Sequence, residues 1–457
     1  MIYSDKSFPV SYGMRKFLLF LGDIITLYLA LFLTLYARYG RSFDEQISMH
    51  FLPFTIIFVV WVIVFYISNL YEIGLSKNNA RFFSDLFYTI AVISSISIFF
   101  FYFVQFFRIA PKTNLFVFIV IIAALQGFWR FFFNRLTAKN GYKNNTLIVG
   151  LSQQSQELYD FLLNNPQLGY GVLGILDIGD KTASAILDNL IKRKNIRTLV
   201  LAPTVYKIPH IIDVFYHLVG FGINFFNLSD FYERVAGRIP LETIDQVWFL
   251  ENLSQGSRRG YETGKRILDL IGTIIIGLLT LPFYPLIILA IKLDSRGQVF
   301  YHQGRMGRIG KIFTVIKFRT MFQEIEKSTG PIWAAENDAR TTRVGKFLRK
   351  TRIDELPQIW NILRGEMSFV GPRPERPEFH QKLKSEIPFY EERYLVKPGL
   401  TGWAQIKYKL DFRGGMTIKD TYEKLQHDLF YIKNRSLILD LGILLKTINI
   451  LLKKAFR

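Results

Sequence analysis

Long apolar segments dominate the first third of the chain. Four of them approach or exceed the ~20 residues that a helix needs to span the hydrocarbon of a bilayer. They cover residues 17–37, 51–70, 83–107 and 115–133. The first is too long, and too poorly followed by a cleavage site, for a signal peptide. The pattern predicts a bundle of four transmembrane helices within residues 1–138.

Flanking charges predict the orientation of these segments. Basic residues precede the first segment and follow the second and the fourth: Arg15, Lys16, Lys77, Arg81, Arg135, Lys139 and Lys143. The outer loops are less clearly biased, with Arg38, Arg41, Asp44 and Glu45 in one and Arg108 and Lys112 in the other. Because cytoplasmic loops carry the excess of Lys and Arg, we expect the N terminus and everything after Arg135 in the cytoplasm.

Between residues 139 and 252 the pattern changes to short apolar runs that alternate with amphipathic stretches. Strands are predicted at 145–150, 172–177 and 198–202, and helices at 156–163 and 211–219. This alternation is typical of a parallel α/β sheet of Rossmann type. The loop Gly150-Leu-Ser-Gln-Gln-Ser155 lacks the second and third glycines of the dinucleotide fingerprint. A nucleotide-binding domain and a structural or regulatory domain both stay open.

A fifth apolar segment opens the last part of the chain, residues 253–457. It follows a polar linker at 253–261, covers 267–291 and contains Pro282 and Pro285. A full crossing would place the basic tail that follows it outside the cell, against the positive-inside rule. Proline removes a backbone donor and kinks a helix, so a hairpin has a local cause at Pro282. We therefore predict a re-entrant membrane helix.

Composition narrows the range of partners. The 457 residues carry a formal net charge of +20, which suits an anionic membrane surface, a phosphorylated substrate or nucleic acid. The apolar segments favour the first two, and the last third contains nothing like a reading helix or an aromatic stacking platform. The absence of cysteine excludes disulfides and thiolate metal sites, and the six scattered histidines argue against zinc.

Two adjacent carboxylates, Asp354 and Glu355, stand among cations at residues 349–358. Apolar residues at helical spacing surround them, and Asp354 is predicted as a helix N-cap, with Pro357 in the first turn. A carboxylate held ionised in this way can attack phosphorus as a nucleophile. Glu355 could bind a metal or act as a base. An ordinary capping pair on a solvated face is the alternative.

The cations near this acidic pair are suited to binding the diphosphate group of a substrate. Arg349, Arg352 and Arg373 can neutralise its charge through bidentate guanidinium contacts, and Mg²⁺ would supply the remainder. The prolines in Gly371-Pro-Arg-Pro374 fix the backbone that presents Arg373. Two basic runs, 317–321 and 304–308, add charge for which lipid headgroups or solvent are alternatives to a catalytic role.

Six stretches of the last part carry a family resemblance: 265–269, 293–310, 317–321, 349–358, 361–374 and 397–405. In this order they resemble the monotopic phosphoglycosyltransferases, the bacterial sugar transferases that initiate exopolysaccharide, capsule or O-antigen assembly. The whole chain is similar to the long form of this family. That form has four transmembrane helices, a Rossmann-like domain (here 139–252) and a mainly helical monotopic catalytic domain (here 253–457).

The resemblance implies a reaction at a cytoplasmic-facing site on the bacterial inner membrane. Family members transfer a sugar 1-phosphate from a UDP-sugar to undecaprenyl phosphate through a covalent phosphosugar on an aspartate, assisted by Mg²⁺. The family's Asp-Glu pair falls on Asp354 and Glu355, which would also bind the metal. Its phosphate-binding arginines and basic motif correspond to Arg349, Arg373, Lys317 and Arg319.

Two departures and several alternatives accompany the resemblance. Leu281 stands before Pro282, where many members have serine, and the glycine loop of the middle domain is degenerate. A non-catalytic membrane organiser would explain the chain if its site had decayed, but the acidic pair and its arginines are intact. A membrane-tethered nucleotide sensor would need a better phosphate loop. The sequence does not decide among glucose, galactose and N-acetylated hexoses, and a homodimer is compatible with it.

Overall fold

A computed structural model describes residues 12–103, 112–138, 144–177, 194–253, 259–322, 340–408 and 417–455. They belong to two compact units, Met1–Phe231 and Tyr232–Arg457. Among the features used for prediction, Arg108, Lys139, Lys143 and residues 254–258 of the linker lie outside the described residues. The division into three domains stays a prediction.

Four long helices begin the first unit: α1 (Tyr12–Tyr39), α2 (Phe43–Ile67), α3 (Ala80–Phe103) and α4 (Lys112–Ala138). They contain most of each predicted apolar segment, and residues 104–107 of the third lie outside the described residues. Within the part of the chain that the structure describes, four helical stretches could cross a membrane by length and composition: 13–67, 80–103, 113–137 and 259–294. The first of these holds both α1 and α2, joined by one 3-10 turn at Gly40–Ser42.

A buried ion pair joins α1 to α4. The side chains of Asp23 and Arg130 are fully buried and meet at 2.5 Å. Arg130 also donates to the backbone oxygen of Leu70 at 2.7 Å, in the turn that follows α2. Because each charge is tolerated away from water only while the other compensates it, the pair specifies how α1 and α4 associate.

The α/β part of the first unit has a four-stranded parallel sheet in the order β2-β1-β3-β4. Its elements are β1 (Asn144–Val149), α5 (Gln153–Asn164), β2 (Tyr170–Leu176), β3 (Thr198–Leu201), α6 (Pro209–Leu218) and β4 (Asn224–Asn227). The next helix, α7 (Leu228–Ala236), contains the boundary between the two units. The three predicted strands and both helices are confirmed. Strand β4 was not predicted, because its four residues, Asn-Phe-Phe-Asn, form too short an apolar run.

The glycine that follows β1 has a packing role. Gly150 has a φ of 95°, and a Cβ there would lie 2.8 Å from the Cβ of Ala202. A side chain is therefore disfavoured both by the backbone conformation and by the neighbouring strand end. This accounts for the one retained glycine of the degenerate loop without a bound nucleotide.

The second unit begins with α8 (Gln246–Leu253), α9 (Arg259–Thr280) and α10 (Tyr284–Asp294). A 3-10 turn at Leu281–Phe283 interrupts the path from α9 into α10 and contains Pro282. Large apolar side chains near this turn are mostly exposed, with Leu278 at 70% and Leu279 at 67%. The break thus lies where it was predicted, and the return of the chain to its original side of a membrane stays a prediction.

Short strands and helices complete the second unit. Strands β5 (Phe300–Met306) and β6 (Ile312–Phe318) form an antiparallel hairpin, and β7 (Ser368–Val370) pairs in parallel with β8 (Gly399–Thr401). The helices are α11 (Arg343–Thr351), α12 (Ile359–Arg364), α13 (Pro377–Glu386), α14 (Trp403–Lys407), α15 (Ile418–Asn434) and α16 (Leu437–Ala455). One core that includes Phe369 and Leu429 joins most of them, and it also contains apolar residues between 239 and 253. Leu348 of α11 packs in a separate cluster with Phe318.

Candidate active site

The two adjacent carboxylates lie in a 3-10 turn, Ile353–Gln358, between α11 and α12. Arg352 precedes the turn with a φ of 62°, in the left-handed region, and holds the cap position. The prediction that Asp354 is an N-cap is wrong, because the turn already begins at Ile353. Asp354 and Glu355 are only 8% and 7% exposed, so the alternative of a capping pair on a solvated face is excluded.

Three cations converge on Glu355. Its Oε1 accepts hydrogen bonds from Lys317 Nζ at 3.0 Å and from Arg373 Nη2 at 2.8 Å. Arg352 Nη1 lies 3.5 Å from the same oxygen. Burial alone would raise the pKa of Glu355, but the three cations outweigh burial and hold that pKa well below its usual range. Glu355 therefore stays ionised and fixes the cations around it.

Asp354 has a different environment. Its Oδ1 is buried and has no hydrogen-bond partner among the described residues. Burial and the charge of Glu355 raise the pKa of Asp354, and the nearby cations Lys317, Arg352 and Arg349 offset this only in part. A desolvated carboxylate with an unused oxygen is suited to attack an electrophile or to bind a metal ion.

Two arginines hold the Gly371-Pro-Arg-Pro374 turn from behind. Arg393 Nη2 donates to the backbone oxygen of Arg373 at 3.0 Å, and Arg305 Nη1 donates to that of the next residue at 3.0 Å. The Arg373 side chain is nevertheless 43% exposed. The turn thus presents this guanidinium both to the acidic pair and to solvent, where a phosphate group can reach it.

Close backbone contacts fix the same turn. A Cβ on Gly399 would lie 2.1 Å from the backbone nitrogen of Gly371, so only glycine allows the two segments to approach. Gly371 donates to the backbone oxygen of Thr401 at 2.9 Å, and Gly399 donates to that of Pro372 at 2.9 Å. The motif at 397–405 therefore forms the support on which the arginine turn rests.

Arg349 approaches the site from the end of α11. Its Nε donates to Thr320 Oγ1 at 2.9 Å, and its Nη1 lies 3.3 Å from Thr341 Oγ1. These bonds keep the half-buried guanidinium close enough to Asp354 to lower the pKa of that carboxyl. The structure thus brings six predicted site residues together: Asp354, Glu355, Lys317, Arg349, Arg352 and Arg373.

Arg319 does not join this cluster. It is buried and donates to the backbone oxygens of Ser295 and Arg296, each at 2.7 Å, directly after α10. Strand β6 ends at Phe318, so the two-residue alternation that would place Arg319 beside Lys317 is lost. These bonds give Arg319 a structural role at the end of α10 and no support for its predicted contact with phosphate.

Known proteins resemble both the part of the chain that contains this site and a part that precedes it. A family model described as bacterial sugar transferase matches residues 260–454, and one described as CoA-binding domain matches residues 66–202. A relative from Xanthomonas campestris pv. campestris, named UDP-glucose:undecaprenyl-phosphate glucose-1-phosphate transferase, is 31% identical over 346 residues, which cover 72% of this chain and 71% of the relative. The chain belongs to the bacterial sugar transferase family.

Other members of the bacterial sugar transferase family are named for different sugars. A UDP-galactose-lipid carrier transferase from Erwinia amylovora is 30% identical over 356 residues, 70% of each chain. A UDP-N-acetylgalactosamine-undecaprenyl-phosphate N-acetylgalactosaminephosphotransferase from Aeromonas hydrophila is 38% identical over 231 residues, and the chain spans 52% of its length. The predicted family and enzyme class, a phosphotransferase, are confirmed, while the sugar stays open.

Several residues that build this transferase site were not predicted. Asn361 Nδ2 donates to the backbone oxygen of Thr314 at 2.7 Å, and its Oδ1 accepts from the backbone amide of Ile316 at 3.2 Å, both in β6. These bonds place Lys317 beside α12. Arg305 had a sequence signal, since it belongs to a basic run, whereas Asn361 and Arg393 had none because their partners are distant in the chain.

The family implies Mg²⁺, and the site offers ligands that fit it. No group of three or more His, Cys, Asp and Glu side chains that could hold a metal ion occurs among the described residues. Asp354 Oδ1, however, is a buried oxygen with no partner in that part of the chain. Mg²⁺ is commonly bound by one or two carboxylates together with substrate phosphates and water. The acidic pair thus fits an ion whose remaining ligands come from the substrate.

Proposed function

We propose that the chain transfers a sugar 1-phosphate from a UDP-sugar to undecaprenyl phosphate, with Asp354 as the nucleophile. A carboxylate oxygen of Asp354 attacks the phosphorus that carries the sugar, the bond from that phosphorus to the bridging oxygen breaks, and UMP leaves. An oxygen of undecaprenyl phosphate then attacks the same phosphorus and releases the carboxylate. The product, an undecaprenyl diphosphate sugar, would initiate exopolysaccharide, capsule or O-antigen assembly.

The observation that carries this proposal is the environment of Asp354. A structural carboxylate that is buried normally accepts hydrogen bonds, because an unsatisfied buried oxygen costs free energy. Asp354 Oδ1 accepts none among the described residues, although four cations lie around the acidic pair. The oxygen is therefore available for a bond that forms during the reaction.

Four cations supply the charge that the first step requires. A diphosphate repels an anionic nucleophile unless its charge is neutralised, and fixed cations in a partly buried site do this efficiently. Arg352 and Arg373 keep 38% and 43% of their side chains exposed, so both can reach a diphosphate from solvent. Lys317 and Arg349 lie deeper and complete the site.

Glu355 holds these cations in place and does not serve as the base. Its Oε1 accepts from both Lys317 and Arg373, and a pKa well below the usual range makes it a poor proton acceptor. Asp354, with Glu355 beside it, would hold Mg²⁺. When bound, the ion would polarise phosphate oxygens as a Lewis acid. Orientation of the nucleophile and of the cations comes from the chain itself.

We also propose that the chain is a multi-pass protein of the bacterial cytoplasmic membrane, with its catalytic site on the cytoplasmic face. In this arrangement α1 to α4 cross the bilayer, and α9 and α10 form a hairpin bent at Pro282. The exposed apolar side chains beside that break and the many cations after Lys292 support it. A homodimer stays a prediction, which the mass of the protein in nanodiscs would test.

Asp354→Asn tests the nucleophile. Full-length protein in nanodiscs is incubated with Mg²⁺ and UDP-glucose, UDP-galactose or UDP-N-acetylhexosamines radiolabelled at the sugar-linked phosphate, without undecaprenyl phosphate. We expect the wild type to retain label from its own sugar nucleotide and the Asn variant to retain none, because an amide cannot form the acyl phosphate.

Lys382→Met, a change at an exposed lysine of α13, is the control and should label like the wild type. Wild-type labelling of the Asp354→Asn protein would overturn the proposed mechanism. The sugar that labels the wild type would also identify the donor.

A further inference from the structure

A second cationic cleft lies beside the first half of α9. Its lining includes four cations, Lys265, Arg266, Lys397 and Arg435, and two carboxylates, Glu262 and Asp269. None of the predicted catalytic residues lines it. The cleft is therefore distinct from the acidic pair and its cations.

Most charges in the cleft already have partners. Lys265 Nζ lies 2.8 Å from Asp440 Oδ2, and Arg435 Nε lies 3.5 Å from Glu262 Oε1. Asp269 Oδ1 accepts from the backbone amide of Phe369 at 3.1 Å and from the hydroxyl of the preceding serine at 3.0 Å. These contacts account for the structure of the walls. One lysine of the lining is left without a hydrogen bond or ion pair in the described part of the chain.

That lysine is Lys397. It is half-buried, and no hydrogen bond or ion pair joins its ammonium to an acceptor among the described residues. Its neighbours are cations: burial and the guanidinium groups of Arg266 and Arg308 lower the pKa of Lys397, and Asp269 opposes them only in part. Arg308 Nε is itself buried without a hydrogen-bond partner in the described part of the chain.

Lys397, Arg266 and Arg308 lie near one another where water is partly excluded. An anion bound between them would offset their mutual repulsion. Among the described residues, Arg266 donates only to the backbone oxygens of Ile362 and Leu363, at 2.6 and 2.7 Å, which supply no full negative charge. A phosphate group has several strong acceptor oxygens and forms charge-assisted hydrogen bonds with both lysine and arginine. It would compensate Lys397 and Arg266 in the cleft and Arg308 close to it.

The position of the cleft favours a lipid as the source of that phosphate. Arg266 directly precedes the apolar part of α9, in a stretch long and apolar enough to cross a membrane. Lipid phosphates lie at the boundary where such a helix enters the bilayer. Arg308, from the basic run 304–308 whose role the sequence left open, does not line the cleft but lies close enough to lower the pKa of Lys397.

We propose that Lys397 and Arg266, which line the cleft, bind the phosphate group of a membrane lipid, and that Arg308, close to Lys397, adds to the attraction. Undecaprenyl phosphate and an anionic phospholipid of the bilayer carry this same chemistry, and only the first rests on the proposed function. Val370 lines the cleft and precedes Arg373 by three residues, so the two backbones are at most about 11 Å apart. A lipid phosphate held here would wait next to the catalytic turn.

Equilibrium binding tests the proposal without turnover. Radiolabelled undecaprenyl phosphate is titrated against full-length protein in nanodiscs of neutral lipid, with no UDP-sugar. We expect Lys397→Met and Arg308→Met each to weaken binding about tenfold, Lys397→Arg to retain most of it because the charge is kept, and Lys382→Met to bind like the wild type. Thermal unfolding of each variant checks its fold, and Arg308→Met serves if Lys397→Met does not fold.

A second measurement distinguishes the two lipids. Native mass spectrometry of the same proteins records how much anionic phospholipid each one retains. Loss of either lipid in Lys397→Met supports the proposal and tells which lipid the cleft takes. Wild-type retention of both lipids overturns it, and so does weaker binding of inorganic phosphate or UDP-sugar with lipid binding unchanged. Because neither measurement needs catalysis, a chain that transfers no sugar phosphate still tests the cleft.

Discussion

Asp354 and Glu355 acquire different chemistry although they are neighbours in the sequence and equally buried. Glu355 accepts from Lys317 and Arg373, whereas Asp354 keeps one oxygen without a partner among the described residues. Sequence reasoning found the pair and its cations from their density in two short segments. It placed Asp354 at a helix cap because the left-handed conformation of Arg352, which redirects the chain, leaves no trace in the residue pattern.

The two carboxylates should affect stability in opposite directions. Asp354→Asn removes a buried charge whose pKa is raised, so we expect it to stabilise the fold. Glu355→Gln leaves Lys317 and Arg373 facing each other without their anion, at a cost of about 2 to 3 kcal/mol. Apparent melting temperatures in detergent without substrate measure both changes, and a lower value for Asp354→Asn than for the wild type would contradict the environment described here.

As the pH falls, covalent labelling should be lost before the ion pairs of Glu355 break. The pKa of Asp354 is raised from 3.8, so the nucleophile is protonated at a pH where an ordinary aspartate stays ionised. The pKa of Glu355 is depressed, so its stabilising contribution is complete above the usual glutamate value and is lost only as the pH falls through the depressed one.

Single-turnover labelling as a function of pH, with tryptophan fluorescence of the same samples, separates loss of the nucleophile from unfolding. A labelling midpoint at or below 3.8 would show that Asp354 is not perturbed in this way.

At the scale of secondary-structure elements, the periodicity of apolar residues predicted the helices and strands that local sequence determines. The apolar runs gave α1 to α4, and the alternation of strands and helices gave β1 to β3. Strands β7 and β8 were not predicted, because their pairing joins Ser368 to Gly399 across the sequence and each strand has only three residues. The contacts of residues 239–253 with the rest of the core of the second unit are non-local in the same sense.

Arg319→Met and Lys317→Met form a matched pair of substitutions that separates a structural cation from a functional one. Arg319 donates to backbone oxygens after α10, so its loss should cost about 2 kcal/mol of stability and leave labelling per folded molecule near the wild-type level. Lys317 donates to Glu355 in the candidate active site, so its loss should lower the labelling rate about a hundredfold.

Melting temperature and single-turnover labelling are measured on both proteins. A folded Arg319→Met protein that labels as slowly as Lys317→Met would return Arg319 to the phosphate site.

At the scale of the whole molecule, the cysteine-free sequence makes topology directly measurable. Single cysteines at the exposed residues Arg41 and Lys311 are treated with a membrane-impermeant maleimide in intact spheroplasts. With a hairpin at Pro282, we expect Arg41→Cys to react at once and Lys311→Cys only after the membrane is opened. Immediate labelling of Lys311→Cys would instead show a fifth crossing.

The ion pair between Asp23 and Arg130 has a consequence for how the chain is made. The two residues are 107 positions apart, so α1 leaves the ribosome long before α4 exists. At about 5 to 20 residues per second, the arginine follows the aspartate after roughly 5 to 20 s. A lone carboxylate at the centre of a helix costs about 3 kcal/mol to insert. We therefore expect α1 to stay at the translocon until α4 arrives, so that the bundle enters the bilayer as one late step.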